Sequence, residues 1–140
     1  MLNYYNICKS AMYLLSSLTI EPNNAIIFDI DNTLIDKYGQ CIIPVIQLYN
    51  YAKTLGLIPI IITARLDEVN NINYTLYQLH TCNITDYHEI FFRPENMLNL
   101  YEYKNSRRKH IYDSGFKVLM SVGDMPWDIG QYGGIGIYLK

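Results

Sequence analysis

Short apolar runs rich in β-branched residues alternate along this chain with stretches of helical spacing, and that alternation limits the fold more than any other feature. Ala25-Ile26-Ile27-Phe28, Ile58-Pro59-Ile60-Ile61-Ile62, Glu89-Ile90-Phe91-Phe92, Lys117 to Val122 and Ile135 to Leu139 read as five strands. Continuous apolar runs of this kind suit strands buried on both faces. Between them, Pro44 to Leu55, Asp67 to Leu79 and Tyr103 to Ser114 carry helical spacing. Pro44 fits a first turn, and Gly56 and Gly115 fit helix ends. Pro59 is tolerable near a strand start. Strand and helix in turn predict an α/β fold, a three-layer α/β/α Rossmann-like core around a five-stranded, mostly parallel sheet.

The 140 residues fit one domain, with residues 1–24 read as an N-terminal helix packed on the core. The apolar stretch Ala11 to Leu18 is too short to cross a membrane, and no small-residue cleavage site follows it. Half the residues are hydrophobic, 17% are charged and the net charge is -2. That composition excludes disorder, and it lacks the basic footprint of a non-specific nucleic-acid binder. Cys8, Cys41 and Cys82 are odd in number, far apart and without a C-x-x-C pair. A disulfide framework or zinc site is not expected, and a reducing, cytoplasmic setting is the simpler reading.

In parallel sheets, ligands bind beyond the carboxyl ends of the strands. The first run ends in Asp29-Ile30-Asp31-Asn32-Thr33. Two aspartates directly after a buried strand are costly unless a cation pairs with them, and a hard divalent ion such as Mg²⁺ takes such oxygens. The plain alternative is a turn built by Asp and Asn. Thr63-Ala64-Arg65 closes the second run, either as a phosphate-holding hydroxyl and backbone N–H or as a threonine N-cap. Gly123-Asp124-Met125-Pro126-Trp127-Asp128 closes the fourth and brings two more carboxylates, or is an ordinary loop. Lys104 is either a solvated helix charge or the cation that offsets several anions in one cleft.

Taken in order, these four pieces resemble the four motifs of the haloacid dehalogenase (HAD) superfamily of phosphohydrolases. Tyr103-Lys104-x-x-x-Arg108, then Gly115-Phe116-Lys117-Val118 and the Gly-Asp motif, are similar to its acid phosphatase branch, which includes plant acid phosphatases and vegetative storage proteins. The stretch between Thr33 and Ile60 leaves no room for a large cap. The resemblance implies a Mg²⁺-dependent phosphatase acting on phosphate monoesters through an aspartyl-phosphate. Asp29 would be the nucleophile and Asp31 the acid and base. Mg²⁺ would sit on the Asp29 carboxylate, the Asp31 carbonyl and Asp124, supported by Asp128. Thr63, the Ala64 N–H and Lys104 would hold phosphate, with Asn32 and Arg65 touching substrate. The acid at Asp31 separates phosphatases from the family's dehalogenases, whose halide leaving group needs no proton.

The same resemblance implies a phosphorylated partner; no membrane association and a monomer or homodimer are expected beside it. A polynucleotide 3′-phosphatase or nucleotidase, and a non-catalytic storage protein on the same scaffold, are the alternatives. His80, Cys82 and His88 fit no zinc spacing. Arg107 and Arg108 read as surface charges or a phosphate-facing rim, Arg93 as a rim of the pocket, and Trp127 as core or a wall of the site.

Overall fold

The computed structural model describes residues 2–140. Among them, five strands form one all-parallel sheet in the order β3-β2-β1-β4-β5, with β1 Asn24–Phe28, β2 Ile58–Leu66, β3 Glu89–Arg93, β4 Lys117–Gly123 and β5 Ile135–Tyr138. Four α-helices accompany them: α1 Leu2–Ser16, α2 Ile43–Thr54, α3 Val69–Thr81 and α4 Leu100–Asp113. The α/β class, the five strands and the absence of a large cap agree with the sequence reading.

β1 is central and buried along its whole length. Its residues alternate between two cores because successive strand side chains point to opposite faces. Ile26 and Phe28 join α1, α2 and Leu79 of α3 in the larger core. Ala25 and Ile27 join Ile60, Ile62, Tyr103 and Ile111 in a smaller one covered by α4. The chain runs from β1 outward to β2 and β3, then returns to place β4 on the other side of β1. The reversal makes the carboxyl end of β1, flanked by β2 and β4, the topological switch point.

Three boundaries differ from the sequence reading. β2 continues through Thr63 to Leu66, and α3 starts only at Val69, where Glu68 accepts from the Asn70 and Asn71 N–H groups. Thr63 is therefore a strand residue and does not cap a helix. α4 begins at Leu100, because Asn99 caps it by accepting from the Glu102 N–H. Lys104 consequently lies in the second turn and not at the helix start.

The cysteine reading is overturned. Cys41 and Cys82 form a disulfide, with Cα atoms 5.8 Å apart. Cys41 precedes α2 and Cys82 follows α3, and both helices pack on the same core. Their separation of 41 residues hid this proximity. Cys8 is the remaining thiol, and burial pushes its pKa up to about 11. The pairing removes the cysteine-based ground for expecting a reducing compartment. No helix among the described residues is long and apolar enough to cross a membrane.

Cross-linking a loop of this length restricts the unfolded chain and contributes about 2–4 kcal/mol. Replacing both cysteines by serine should lower the urea midpoint accordingly, and reductant should do the same to the parent. A midpoint indifferent to reductant would contradict this.

Candidate active site

Asp29 follows β1 directly, and its N–H donates to the Val122 carbonyl, so the pairing of β1 with β4 extends to it. The chain then turns sharply. The N–H groups of Thr33, Leu34 and Ile35 all donate to the Ile30 carbonyl, and Ile30, Leu34 and Ile35 are buried. Asn32 takes φ 58°, a left-handed conformation that asparagine tolerates. The turn brings the Thr33 hydroxyl back to Asp29 Oδ2 at 3.3 Å. The spacing of Asp29 and Thr33 is thus a geometric requirement of this turn.

Lys104 reaches the same place from α4. Its Nζ lies 3.0 Å from Asp29 Oδ1, 2.7 Å from the Ile62 carbonyl and 2.7 Å from Asp128 Oδ1. It is 2% exposed, so the solvated-surface alternative is excluded. Asp128 ends a short 3-10 turn, Pro126–Asp128, and its Oδ2 accepts from the Met125 N–H. Gly123 permits this approach, since a Cβ there would collide with the Asp128 side chain. Arg108, expected at the surface or at a phosphate rim, is buried. Its guanidinium donates to the Trp127 and Gln131 carbonyls and braces the loop carrying Asp128. Arg107 stacks over Phe91.

Carboxylate oxygens of Asp29, Asp124 and Asp128 lie within 4.8 Å of one another. The Asp31 carboxylate does not join them. Burial pushes the Asp29 carboxyl above its ordinary value, and Asp124 beside it adds to the rise against the opposing pull of Lys104. Burial also raises Asp124 and Asp128. Burial disfavours the Lys104 ammonium, but Asp29 and Asp128 outweigh it and hold its pKa above the lysine value.

Three carboxylates share one ammonium, so their negative charge outweighs the Lys104 charge when all three are ionised. Asp128 Oδ1 is buried, with the Lys104 ammonium as its close partner. All donors are hard oxygens. The cluster therefore fits a divalent metal ion.

Asp31 and Arg65 form a separate pair. Arg65 Nε donates to Asp31 Oδ2 at 3.1 Å and Nη2 to Oδ1 at 2.8 Å. Arg65 Nη1 donates to Thr75 Oγ1 and Gln78 Oε1. Thr63 is fully buried; its Oγ1 accepts from the Arg65 N–H and its carbonyl accepts from the Tyr103 hydroxyl. Arg93 donates to the Ala64 carbonyl. Tyr101 packs edge-on against Trp127.

The sequence reading did not find Tyr4, Thr75 or Gln78. The Tyr4 hydroxyl of α1 donates to the Asn32 carbonyl at 2.7 Å. Together with Asn32, Lys37 and Tyr38 it borders a depression of about 490 Å³. No local signal marks a tyrosine so far ahead of the first strand.

A doubly wound α/β protein with an acidic cluster at its switch point is thereby defined. Its residues 39–134, more than half of the chain, match the family HAD superfamily, subfamily IIIB (Acid phosphatase), and the chain belongs to that family. The matched span begins after Asp29–Thr33. The structure joins that first segment to the matched part through Lys104 and Asp128. A search of curated proteins found no match.

The carboxylates whose pKa values are raised bind protons more readily folded than unfolded. Their unfavourable contribution therefore grows as pH rises above the ordinary 3.8 and is complete above the folded values. Lys104→Met should lower stability by about 3–5 kcal/mol at neutral pH. That penalty should shrink as pH falls and the carboxylates take up protons. Urea unfolding across pH measures it, and a penalty independent of pH would mean that Lys104 only fills space.

Proposed function

We propose that this protein is a Mg²⁺-dependent phosphatase that cleaves phosphate monoesters through an aspartyl-phosphate on Asp29. The observation that carries the reading is Lys104, buried between Asp29 and Asp128 in a family of acid phosphatases. Replacing a buried ionic cluster by packed apolar residues is often neutral or stabilising. A storage protein on this scaffold gains nothing from keeping one, whereas a nucleophilic carboxylate needs it.

The chemistry follows from where the groups stand. An Asp29 carboxylate oxygen attacks phosphorus, and the bond from phosphorus to the leaving oxygen breaks with its electron pair on that oxygen. The Asp31 carboxyl gives that oxygen a proton and becomes a carboxylate. Asp31 then takes a proton from water as the water oxygen attacks phosphorus. The Asp29 oxygen–phosphorus bond breaks, the pair returns to Asp29, and phosphate leaves.

Asp29, Asp124 and Asp128, with the Asp31 carbonyl, would hold Mg²⁺, whose charge when bound screens carboxylate from phosphate. Lys104 fixes the nucleophile and balances negative charge on it. Thr63 and the Ala64 N–H are assigned to phosphate oxygens, with Thr63 reaching them from within β2. Asn32, exposed at the turn, borders the leaving group. Asp31 and the rim around Tyr4 and Tyr38 stay open to solvent, so the site admits leaving groups of different size. The net charge of -2 favours small phosphomonoesters over nucleic-acid ends.

Hydrolysis of p-nitrophenyl phosphate with Mg²⁺, and its loss with a chelator, tests the reading. Asp29→Asn should lose at least about 10³-fold in kcat, as removal of a nucleophile does. Equal rates for variant and parent would overturn the covalent route.

A further inference from the structure

We propose that Arg65 is a positioning residue that aims the Asp31 carboxyl at the leaving oxygen, held in turn by Thr75 and Gln78 of α3, and that it does not contact substrate. The proposal rests on the phosphatase reading above.

The guanidinium has five N–H donors. Four of its hydrogen bonds lie within the chain: Nε and Nη2 to Asp31, and Nη1 to Thr75 Oγ1 at 2.9 Å and Gln78 Oε1 at 2.6 Å. At most one N–H remains for a phosphate oxygen, too few for the two-pronged grip that makes arginine a phosphate ligand.

Both anchors are themselves fixed. Thr75 and Gln78 are buried. The Thr75 hydroxyl donates to the Asn71 carbonyl at 2.7 Å, which leaves its oxygen to accept from Arg65. Gln78 Nε2 lies 3.3 Å from the Tyr74 hydroxyl, which sets Oε1 toward Arg65. The Arg65 N–H donates to Thr63 Oγ1, so the residue is fixed at its backbone as well.

Asp31 is the more exposed partner. Its side chain is 56% exposed and that of Arg65 13% exposed. An exposed carboxylate samples several rotamers unless something rigid selects one. A pair this exposed adds little to stability. What it supplies is aim, and a misplacement of about 1 Å at a reacting group can cost about 10²-fold. When one Asp31 oxygen takes part in proton transfer, the other keeps its N–H, and α3 keeps the guanidinium in place. A lysine cannot serve, because a point ammonium does not span Asp31 and α3 together.

The experiment compares the parent with Arg65→Ala, Arg65→Lys and Gln78→Leu on an aryl phosphate and an alkyl phosphate. p-Nitrophenolate leaves readily without a proton, whereas an alkoxide needs one. Arg65→Ala and Gln78→Leu should lower kcat on glycerol phosphate by about 10- to 100-fold, part of the usual worth of a general acid. On p-nitrophenyl phosphate the loss should stay under about 3-fold, with KM little changed on either substrate. Arg65→Lys should resemble Arg65→Ala, and added guanidinium ion should restore part of the alkyl activity of Arg65→Ala. In an Asp31→Asn background, Arg65→Ala should add little further loss, since the two act as a unit.

Thr75→Val carries the anchor arm if Gln78→Leu does not fold. Independently of activity, the Arg65 Nε–Hε signal should be resolved in NMR spectra of the parent and lost in Asp31→Asn. A rise in KM on both substrates with Gln78→Leu silent would make Arg65 a substrate contact and overturn the proposal. Equal kcat losses on both substrates would overturn it too. An active parent without leaving-group dependence in these variants overturns this proposal alone; a parent inert toward every phosphomonoester with Mg²⁺ overturns the phosphatase reading with it.

Discussion

Lys104 extends from α4 to the carboxyl end of the central strands and sets its ammonium between Asp29, at the end of β1, and Asp128, beyond the end of β4. Its third partner is the Ile62 carbonyl in β2. One charge thus ties three neighbouring strands at their carboxyl ends. Removing such a charge from water costs several kcal/mol, and only close partners offset it. The helix that bears it must be held accurately. Tyr103, its neighbour in α4, is fully buried and shares its one hydroxyl hydrogen between the carbonyls of Thr63 and Phe91. Those two bonds seat α4 on β2 and β3, and so fix the height at which Nζ emerges.

The two faces of the sheet divide the work. α4 on one face governs charge, through Lys104 at the centre and Arg108 behind the Asp128 loop. α3 on the other governs direction, through the Thr75 and Gln78 contacts to Arg65. Each set converges on a different member of the Asp29 and Asp31 pair. These two positions diverge in this way because the turn around the Ile30 carbonyl follows β1 at once. Asp29 faces inward among carboxylates, and Asp31 outward toward Arg65.

The strand pattern is legible because β1, β2 and β4 are largely buried on both faces: β1 and β2 carry continuous apolar runs, and β4 one that only Ser121 interrupts. The acidic residues at the strand ends were legible for the same reason, since nothing in a core explains them. The N-cap alternative for Thr63 falls because β2 extends past its apolar part. Its last residues are held by pairing of Leu66 with Arg93 and not by hydrophobicity. Cys41 and Cys82 escaped notice because only the packing of α2 and α3 brings them together. The role of Arg65 was hidden in the same way. Its anchors lie 10 and 13 residues further on, on a helix whose buried polar face looks like any helical spacing of Thr and Gln.

The N-terminal helix shows how much of a site lies outside its motifs. Cys8, Ala11 and Leu15 bury α1 against the larger core. That packing delivers Tyr4 to the Asn32 carbonyl, at the left-handed residue of the turn between Asp31 and Thr33. A left-handed backbone at a non-glycine residue is costly unless its surroundings hold it. The Tyr4 hydroxyl supplies one such restraint, and the Asn32 N–H bond to the Ile35 carbonyl supplies another. The geometry of Asp29 relative to Asp31 therefore depends on a helix that contributes no charged group to either. Apolar contacts far from the carboxylates set the shape of the turn on which both are mounted.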